Sequence, residues 1–345
     1  MAVRIKKGLR VLALFDLSEP VELKQDFSME LRSEAWKTES DVLKALRRLG
    51  CKVEYLAIHD NTDLIRQKLE TFPADIIFNL VEEFRNNRSL DQHVASFLEL
   101  SGIPFTGCGS VGLTLCRHKA ISKKILDYHR IRVPGFAVLP RGRRVKRPPS
   151  LRFPILVKPL KEEASTGISQ ASFVETDEEF RARVEFVHEK FEQDVIAEEY
   201  IDGRELYASM VGNHRLQVFP MRELLFDEVP PDEPRIATYK AKWDKAYRDK
   251  WGIDTAFFDE GDEDPAVVRK IESTCRRIYH LLAIEGYARI DLRLTPNNEI
   301  VFLEANPNPF LADGEDFALS AEEAGLDYRQ LIAKIVHLGL TAERT

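Results

Sequence analysis

Residues 287–308, YARIDLRLTPNNEIVFLEANPN, form the stretch of sequence that decides the fold. Two runs of alternating apolar and polar residues flank residues 296–299 (PNNE), a turn signal, and this arrangement is typical of a β-hairpin. If Asn297 and Asn298 are the two turn residues, they set the partner of every residue in the two strands.

This register places four polar side chains on one face of the hairpin. Asp291 lies opposite Glu304, and Arg289 lies opposite Asn306. Directly opposed side chains have Cβ atoms about 5 Å apart, so the two carboxylates would repel each other. The apolar side chains occupy the other face, and they are Ile290, Leu292, Leu294, Val301, Leu303 and Ala305.

Two interpretations of the polar face remain open from the hairpin alone. A hard divalent cation would offset the repulsion between Asp291 and Glu304, and Asn306 would supply a third oxygen ligand. A solvated sheet face, on which the charges never meet, is an equally good interpretation because carboxylates are mostly exposed.

The composition is that of an ordinary globular protein. The chain has 345 residues, which predicts two or three domains, with 44% hydrophobic and 31% charged residues. Its net charge of −7 gives no support for nucleic acid or a membrane as the main partner. The basic tract at residues 141–149 would suit a nucleic-acid patch or an exposed loop, and its place in an acidic chain favours the loop.

The sequence also carries an expectation about compartment. No apolar run reaches membrane-spanning length, and the first ten residues, MAVRIKKGLR, lack the apolar segment of a signal peptide. The four cysteines are far apart and form no CxxC pair, which favours reduced thiols over a disulfide framework or a zinc site. We therefore expect a cytoplasmic protein.

The N-terminal part alternates strand and helix patterns. Apolar runs at residues 10–15, 53–58 and 74–80 predict strands, and the spacing at residues 39–49 predicts a helix that Gly50 ends. This alternation predicts a doubly wound parallel sheet. No GxGxxG motif follows the first strand, so a dinucleotide-binding fold has no support.

A lysine interrupts an otherwise buried strand at residues 153–159 (FPILVKP). Burying the Lys158 ammonium is costly unless an anion meets it. Small residues follow at 164–169 (ASTGIS), and the backbone N–H groups around Ser165, Thr166 and Gly167 could approach phosphates. Together the lysine and the loop favour a phosphate site.

The order of these pieces resembles that of the ATP-grasp superfamily, and within it D-alanine–D-alanine ligase and its relatives. The resemblance runs from about residue 74 to the C-terminus. It rests on six pieces in the right order: IPFTG at 103–107, the Lys119 helix, ILVKP at 155–159, EEYIDGRE at 198–205, ARIDLRL at 288–294 and FLEANPNP at 302–309.

The resemblance implies an α/β protein with the three-domain ATP-grasp fold, α+β in its nucleotide half. Residues 1–117 would form the N-terminal α/β domain, residues 118–202 the central ATP-grasp subdomain, and residues 203–345 the C-terminal subdomain with the hairpin. ATP would bind between the last two.

The resemblance also implies roles for individual residues. Lys119 and Lys158 would hold the ATP phosphates, and Glu198 would accept from the adenine amino group. The other expected nucleotide contacts are the backbone of Glu199, Tyr200 and Ile201 at the adenine, Glu205 at the ribose and Lys242 at the γ-phosphate.

The catalytic and metal roles come from the hairpin. Asp291, Glu304 and Asn306 match the magnesium ligands of the family, with manganese as an alternative metal. Arg289 matches the arginine that stabilises the oxyanion formed during the reaction, and Lys242 belongs to the mobile loop.

The amino-acid half departs from the family. Ala164 and Trp243 stand where family ligases carry a serine and a tyrosine, and residues 309–311 (PFL) replace Pro-Gly-Met. The acid that binds the amino group of the first D-alanine has no clear counterpart after Phe15. D-alanine is therefore not the expected substrate.

Three functions compete. The first is an ATP-dependent ligase that joins a small-molecule carboxylate to an amine through an acyl phosphate, on amino acids other than D-alanine, with a genuine D-alanine–D-alanine ligase as its variant. The second is a phosphotransferase on the same scaffold, such as a small-polyol kinase, and the third a non-catalytic nucleotide-binding module. Retention of Arg289 favours the ligase. The sequence leaves a homodimer open.

Overall fold

The computed structural model describes residues 5–344 apart from residues 163–164, 231–232, 259–260 and 262. The described chain contains three β-sheets with helices packed against them. No helix in the described part of the chain is long and apolar enough to cross a membrane.

The strands fall into three sheets along the chain. The first sheet contains β1 (Arg10–Asp16), β2 (Lys52–Ile58) and β3 (Ile76–Asn79) in the order β2-β1-β3. The second contains β4 (Phe136–Leu139), β5 (Ile155–Pro159), β6 (Phe173–Val174) and β7 (Val195–Glu199) in the order β4-β7-β5-β6. The third has the order β11-β10-β8-β12-β13, with β9 beside β8, and its strands are β8 (Arg204–Val211), β9 (Gln217–Val218), β10 (Arg222–Phe226), β11 (Ile253–Phe257), β12 (Tyr287–Leu294) and β13 (Ile300–Pro307).

The helices follow the same order. In the first third of the chain they are α1 (Lys37–Arg48), α2 (Asp63–Thr71), α3 (Asp91–Leu100), α4 (Ser110–Arg117) and α5 (Lys119–Tyr128). The remainder are α6 (Asp177–Lys190), α7 (Tyr239–Trp243), α8 (Lys245–Trp251), α9 (Pro265–Leu281), α10 (Asp316–Glu323) and α11 (Tyr328–Leu340).

The first sheet is parallel and buried on both faces, as the sequence predicts. Leu12 and Leu14 of β1 pack into one hydrophobic cluster, whereas Val11 packs into another. Adjacent residues of a strand face opposite sides, so a sheet covered on both faces needs the continuous apolar run of residues 10–15.

The C-terminal helices join the N-terminal core. Val42 of α1 and Leu331 of α11 lie in the same buried cluster as Val11. The three predicted domains each contain one of the sheets, but this shared cluster crosses between the first and the last of them. The domain limits at residues 117 and 202 stay predictions.

The second sheet has one face toward α6 and one toward α5. Ile155 and Val157 pack with Phe180 of α6, which leaves the alternate residue Lys158 on the opposite face. Ile196, which pairs with Lys158, packs against Ala120 of α5 on that side. The lysine in the apolar strand therefore faces the α5 helix.

The hairpin of β12 and β13 has the predicted pairs at its functional end. Arg289 pairs with Asn306, and Asp291 pairs with Glu304. The predicted two-residue turn is wrong, because Thr295 N–H donates to the Glu299 carbonyl at 3.0 Å and so encloses a loop of three residues. Asn298 in this loop has φ of +58°, the left-handed residue that three-residue hairpin loops need.

A β-bulge reconciles the longer turn with the predicted pairs. The register shifts between Asp291 and Leu292, and Leu303 is the extra residue on the other strand. Near the turn the apolar face therefore carries Ile300 and Phe302, packed with Leu292, and the prediction of Val301 and Leu303 on that face is wrong.

Candidate active site

Polar side chains line one face of the third sheet across three neighbouring strands. Arg289, Asp291 and Arg293 of β12 alternate along the strand, and β8 places Tyr207 opposite Asp291. The opposite face packs against α9, whose Ile271 belongs to the same cluster as the apolar hairpin residues. The helix thus leaves the polar face as the side on which a ligand can bind.

Arg289 and Asp291 form a two-point ion pair on this face. Arg289 Nε and Nη2 donate to the two carboxylate oxygens of Asp291 at 2.7 and 2.8 Å, and the guanidinium carbon lies 4.5 Å from the centre of the Tyr207 ring. Burial raises the pKa of Asp291 to about 6, Glu304 adds to the increase, and Arg289 opposes it. The opposed carboxylates thus meet, as the register predicts.

Lysines surround the second carboxylate. Lys119 Nζ lies 3.7 Å from Glu304 Oε2, and it also donates to the Glu162 carbonyl. Burial disfavours the ionised form, but Lys119, Lys242 and Lys158 outweigh it and hold the pKa of Glu304 at about 2. Glu304 is therefore an anion at neutral pH.

Glu198 lies between two buried ammonium groups. Its Oε2 is 2.5 Å from Lys158 Nζ, and its Oε1 is 3.0 Å from Lys123 Nζ. Burial alone would raise the pKa of Glu198, yet the two lysines lower it below its ordinary value. The expected contact from Glu198 to the adenine amino group stays a prediction, since both oxygens already face lysines.

The small-residue loop after β5 is tied to the helix that carries Lys242. Ser165 Oγ donates to the Ala237 carbonyl at 2.5 Å, and Tyr239 N–H donates to the Ile168 carbonyl at 3.0 Å. Lys242 is half-buried on α7, and its charge acts on both hairpin carboxylates. The sequence gives no sign that the loop and Lys242 are connected. In the structure, these two hydrogen bonds join the loop to the segment that carries Lys242.

The backbone of that loop turns through two left-handed residues. Ser165 has φ of +61° and Gly167 has φ of +75°, with Thr166 between them. A Cβ atom at Gly167 would lie 2.7 Å from Pro159 and 2.8 Å from the Phe191 ring, so only glycine fits. Left-handed turns of this kind point successive N–H groups to one side, which suits an anion.

The predicted adenine segment follows β7 directly. Glu199 N–H donates to the Gly135 carbonyl at 2.7 Å, and Tyr200 N–H donates to the Pro154 carbonyl at 3.1 Å. Among the hydrogen bonds of the described residues, none uses the N–H of Ile201. Of the three N–H groups, that of Ile201 is the one left for a ligand, and the contact of these three residues with adenine stays a prediction.

Glu205, the predicted ribose acid, is paired within the protein. Arg293 Nη2 donates to its Oε2 at 2.7 Å, and the Tyr207 hydroxyl donates to its Oε1 at 3.2 Å. The same arginine donates to the carbonyls of Gly203 and Arg235. Arg293 therefore holds the predicted ribose contact in place.

Comparison with known proteins identifies the family. Residues 125–337, well over half of the chain, match the family model described as D-ala D-ala ligase C-terminus. The chain belongs to the D-alanine–D-alanine ligase family. It is an ATP-dependent ligase of this type, which confirms the predicted family, fold class, enzyme class and use of ATP.

Two of the similar proteins carry the name of a ligase, and one is uncharacterized. An uncharacterized protein, y4sG, of Sinorhizobium fredii is 31% identical over 76% of this chain and 74% of its own length. A D-alanine–D-alanine ligase of Pseudothermotoga lettingae is 27% identical over 87% of this chain and 92% of its own length. The crystal structure of D-alanine–D-alanine ligase from Bacillus anthracis complexed with ATP has 20% identity and a TM-score of 0.72, and the match covers 96% of this chain and 98% of that one.

The hairpin of this family member fits a magnesium ion. Asp291 and Glu304 oppose each other on one face of the hairpin, and Asn306, two residues after Glu304, places an amide oxygen on the same face. The described residues contain no group of three or more His, Cys, Asp or Glu side chains suited to a metal. Two carboxylates and an amide nevertheless suit magnesium, which takes one or two carboxylates and completes its octahedron with water and substrate phosphates.

A cleft of about 520 Å³ opens where the small-residue loop after β5 meets α7. It lies between the loop at residues 83–89 and the α7 helix, and Lys161 and Thr166 also line it. Trp243 is 56% exposed and lines the cleft. Ala164, the other departure named from the sequence, lies outside the described residues.

Sequence reasoning did not single out Lys123 and Arg293, two residues of the site, or Asp16 in the N-terminal sheet. Lys123 follows Lys119 by four residues, the spacing of one helix face, and Arg293 follows Asp291 by two, the spacing of one strand face. Asp16 is the last residue of β1, and ligands of parallel sheets bind at the carboxyl ends of strands. Each of these patterns is visible in the sequence, but its meaning depends on a partner residue from elsewhere in the chain.

Asp16 is half-buried next to other acids. Its Oδ1 accepts from the Glu82 N–H at 2.6 Å. Burial raises the pKa of Asp16, the carboxylates of Glu82 and Glu83 add to the increase, and hydrogen bonds from the backbone of the same two residues oppose it, so that the pKa is about 7. Glu83 lines the cleft together with Arg88 and Lys161, and Arg88 pairs with Glu82 at 3.2 Å, so acids and cations meet beside Asp16.

Proposed function

We propose that this chain joins a carboxylate to an amine on amino-acid substrates, through an acyl phosphate, and that its substrates are not two D-alanines. The proposal rests above all on the convergence of Arg289, Asp291 and Glu304 on one buried face beside Lys119. A purely structural face would not bring two carboxylates into opposition under a ring of lysines.

The lysines and the small-residue loop account for nucleotide binding. Lys119 and Lys158 are the proposed side-chain contacts of the ATP phosphates, and the N–H groups around Thr166 are the proposed backbone contacts. The Ile201 amide is the proposed partner of the adenine ring, and Glu205 that of the ribose. Glu198 keeps Lys158 in position through their 2.5 Å contact.

Asp291, Glu304 and Asn306 are the proposed magnesium ligands, with manganese as the alternative. Magnesium bound there would neutralise phosphate charge and template the transfer. The protein prepares this by keeping Glu304 ionised with lysines, so that one ligand carries its charge at any physiological pH.

The reaction proposed has two steps. A substrate carboxylate oxygen attacks the γ-phosphorus and ADP leaves, with Lys242 of the lid neutralising the charge that builds up between the two anions. The amine nitrogen then attacks the acyl carbon, and phosphate leaves as the nitrogen loses a proton. Arg289 stabilises the oxyanion formed in this second step.

Arg289 favours the ligase over a small-molecule kinase. A kinase transfers the phosphoryl group to a hydroxyl and forms no tetrahedral carbon, so it has little need of a buried guanidinium beside the metal ligands. Asp291 holds Arg289 by two hydrogen bonds, and the Tyr207 ring lies beneath it, so the guanidinium is fixed in advance.

A genuine D-alanine–D-alanine ligase is the second candidate, because relatives with that name match most of the chain. The departures at Ala164, Trp243 and residues 309–311 count against it.

Phosphate release from ATP across a panel of D- and L-amino acids and small amines, with mass spectrometry of the products, tests the proposal. We expect an amide product together with one phosphate for each ADP formed. A phosphorylated hydroxyl product would support the kinase instead, and absence of turnover with every pair would count against a ligase.

A further inference from the structure

Lys123 has no role in the function described so far, yet it is the most deeply buried cation of the site. Its side chain is fully buried on α5, with Nζ 3.0 Å from Glu198 Oε1 and 5.2 Å from the centre of the Phe302 ring. It also donates to the carbonyl of Leu303. These contacts join β7 of the second sheet to β13 of the third.

The position of this ammonium is costly by itself. Burial lowers the pKa of Lys123, and Glu198 only partly offsets that effect. An apolar residue of similar length would fill the same space without the loss of hydration. The charge is therefore retained for its contacts rather than for packing.

Leu303, the residue that accepts from Lys123, is the bulge of the hairpin. It has no opposite residue in β12, so its carbonyl lies outside the regular ladder. If the register near the turn continued unbroken, Leu303 would lie opposite Asp291 in place of Glu304. The bulge is thus the feature that brings the two carboxylates together, and Lys123 holds it.

The second contact of Lys123, with Glu198, lies on the nucleotide side of the site. Glu198 shares its carboxylate between Lys123 and Lys158, and Lys158 is the proposed phosphate contact. One ammonium therefore connects the strand that would hold ATP to the bulge that sets the proposed metal ligands.

We propose that Lys123 is a positioning residue that couples nucleotide binding to metal binding. It touches neither ATP nor the metal. By fixing the Leu303 carbonyl and the Glu198 carboxylate together, it sets the hairpin carboxylates at the distance from the phosphates that a shared metal requires. This inference rests on the proposed function, because it presumes ATP and magnesium at the site.

The test measures the affinity for ADP by calorimetry, once with magnesium and once with EDTA, for the wild type and Lys123→Met. The ratio of the two affinities is the contribution of the metal. We expect this ratio to fall at least about tenfold in Lys123→Met, which corresponds to about 1.4 kcal/mol. Lys124→Met, on an exposed position of the same helix, is the matched control and should keep the wild-type ratio.

A folded Lys123→Met protein with the wild-type ratio overturns the inference, because a residue that only fills space would change the melting temperature without changing the metal contribution. Lys123→Gln serves as a second variant that retains a donor for Leu303 but cannot neutralise Glu198. It should lose less of the ratio than Met does, and an equal loss in both variants would overturn the role of the Leu303 contact.

If neither variant folds, a crystal structure of the wild type with ADP and magnesium decides the question. The inference requires Lys123 Nζ within hydrogen-bond distance of both the Leu303 carbonyl and Glu198, and loss of either contact overturns it. Failure of the wild type to bind ADP would instead remove the proposed function itself.

Discussion

Two half-buried carboxylates, Glu304 on the hairpin and Asp16 at the end of β1, have contrasting charge environments. Glu304, in the nucleotide half, lies among Lys119, Lys158 and Lys242, and its pKa is about 2. Asp16, at the edge of the N-terminal sheet, has Glu82 as its neighbour, and its pKa is about 7. Desolvation is the largest single effect on both pKa values and raises each of them, so the opposite outcomes come from the charges around the two carboxylates.

The difference shows in which half the protein balances its own charges before a substrate binds. In the nucleotide half the protein supplies both signs of charge, so the acids and lysines are held in place before ATP arrives. At the edge of the N-terminal sheet the charges that act most on Asp16 are negative. That edge gains most from a positive group brought by a substrate, which agrees with an amino group as the ligand.

The largest effect is expected in the nucleotide half. Glu304→Gln removes the charge that would share magnesium with Asp291, and we expect turnover to fall by about 10³-fold or more, since a bound metal contributes several kcal/mol to the transition state. Phosphate release measures turnover, and circular dichroism checks the fold. Glu299→Gln, an exposed residue of the same hairpin, is the control and should retain activity.

The amino-acid half is tested by comparing the rates at which different amino acids react. We expect D-alanine to react at least about 10²-fold more slowly than the best amino acid of the panel, because each missing polar partner costs about 1–3 kcal/mol. Ala164 lacks the hydroxyl of a serine, and Trp243 offers only an N–H where a phenol both donates and accepts. Efficient formation of D-alanyl-D-alanine would show that the amino-acid half works as it does in the family, and it would contradict the proposal.

Lys158→Met tests the preformed charge balance of the nucleotide half. We expect ADP to bind about 10- to 100-fold more weakly by calorimetry, because a phosphate contact is lost. Stability should fall by about 2 kcal/mol in urea unfolding, less than the 3–5 kcal/mol typical of a broken buried pair, because Lys123 still neutralises Glu198. Lys190→Met, at an exposed position of α6, should change neither quantity.

The hairpin shows why part of the site could be predicted from the sequence. The pairing of Asp291 with Glu304 was predicted from a turn of the wrong length, and a bulge at Leu303 restored the register. Alternation along a strand depends on local sequence, so the polar face was visible. The bulge residue Leu303 is contacted by Lys123, which lies 180 residues away in the chain, and no local pattern indicates this contact.

Long-range partners limit the prediction elsewhere as well. Lys158 was predicted to need an anion because it interrupts an apolar strand, but the anion at hand, Glu198, comes from the neighbouring strand. Asp16 and the Glu82 amide that donates to it are 66 residues apart, so the pKa of Asp16 follows from the packing of two strands. Motif order predicted the fold and the nucleotide half, and the charge environment required the tertiary structure.

The smallest and most diagnostic effect is expected at Asp16. The pKa of this acid is raised in the folded state, so the folded protein binds more protons than the unfolded chain between pH 4 and 7. Its contribution to stability is therefore fully present below about pH 4 and is lost as the pH rises to about 7. The difference from the ordinary value of 3.8 sets an upper bound of about 4 kcal/mol.

Asp16→Asn removes the titrating group while its amide oxygen can still accept from the Glu82 N–H. We expect the variant to be more stable than the wild type by about 2 kcal/mol at pH 8 and equally stable at pH 4, measured by urea unfolding at both values. If Asp16 binds the substrate ammonium, the same variant should have a raised KM for the amino-acid substrate. Equal stability of the two proteins at pH 8 would mean that Asp16 already has a cation nearby, and the contrast between the two halves would disappear.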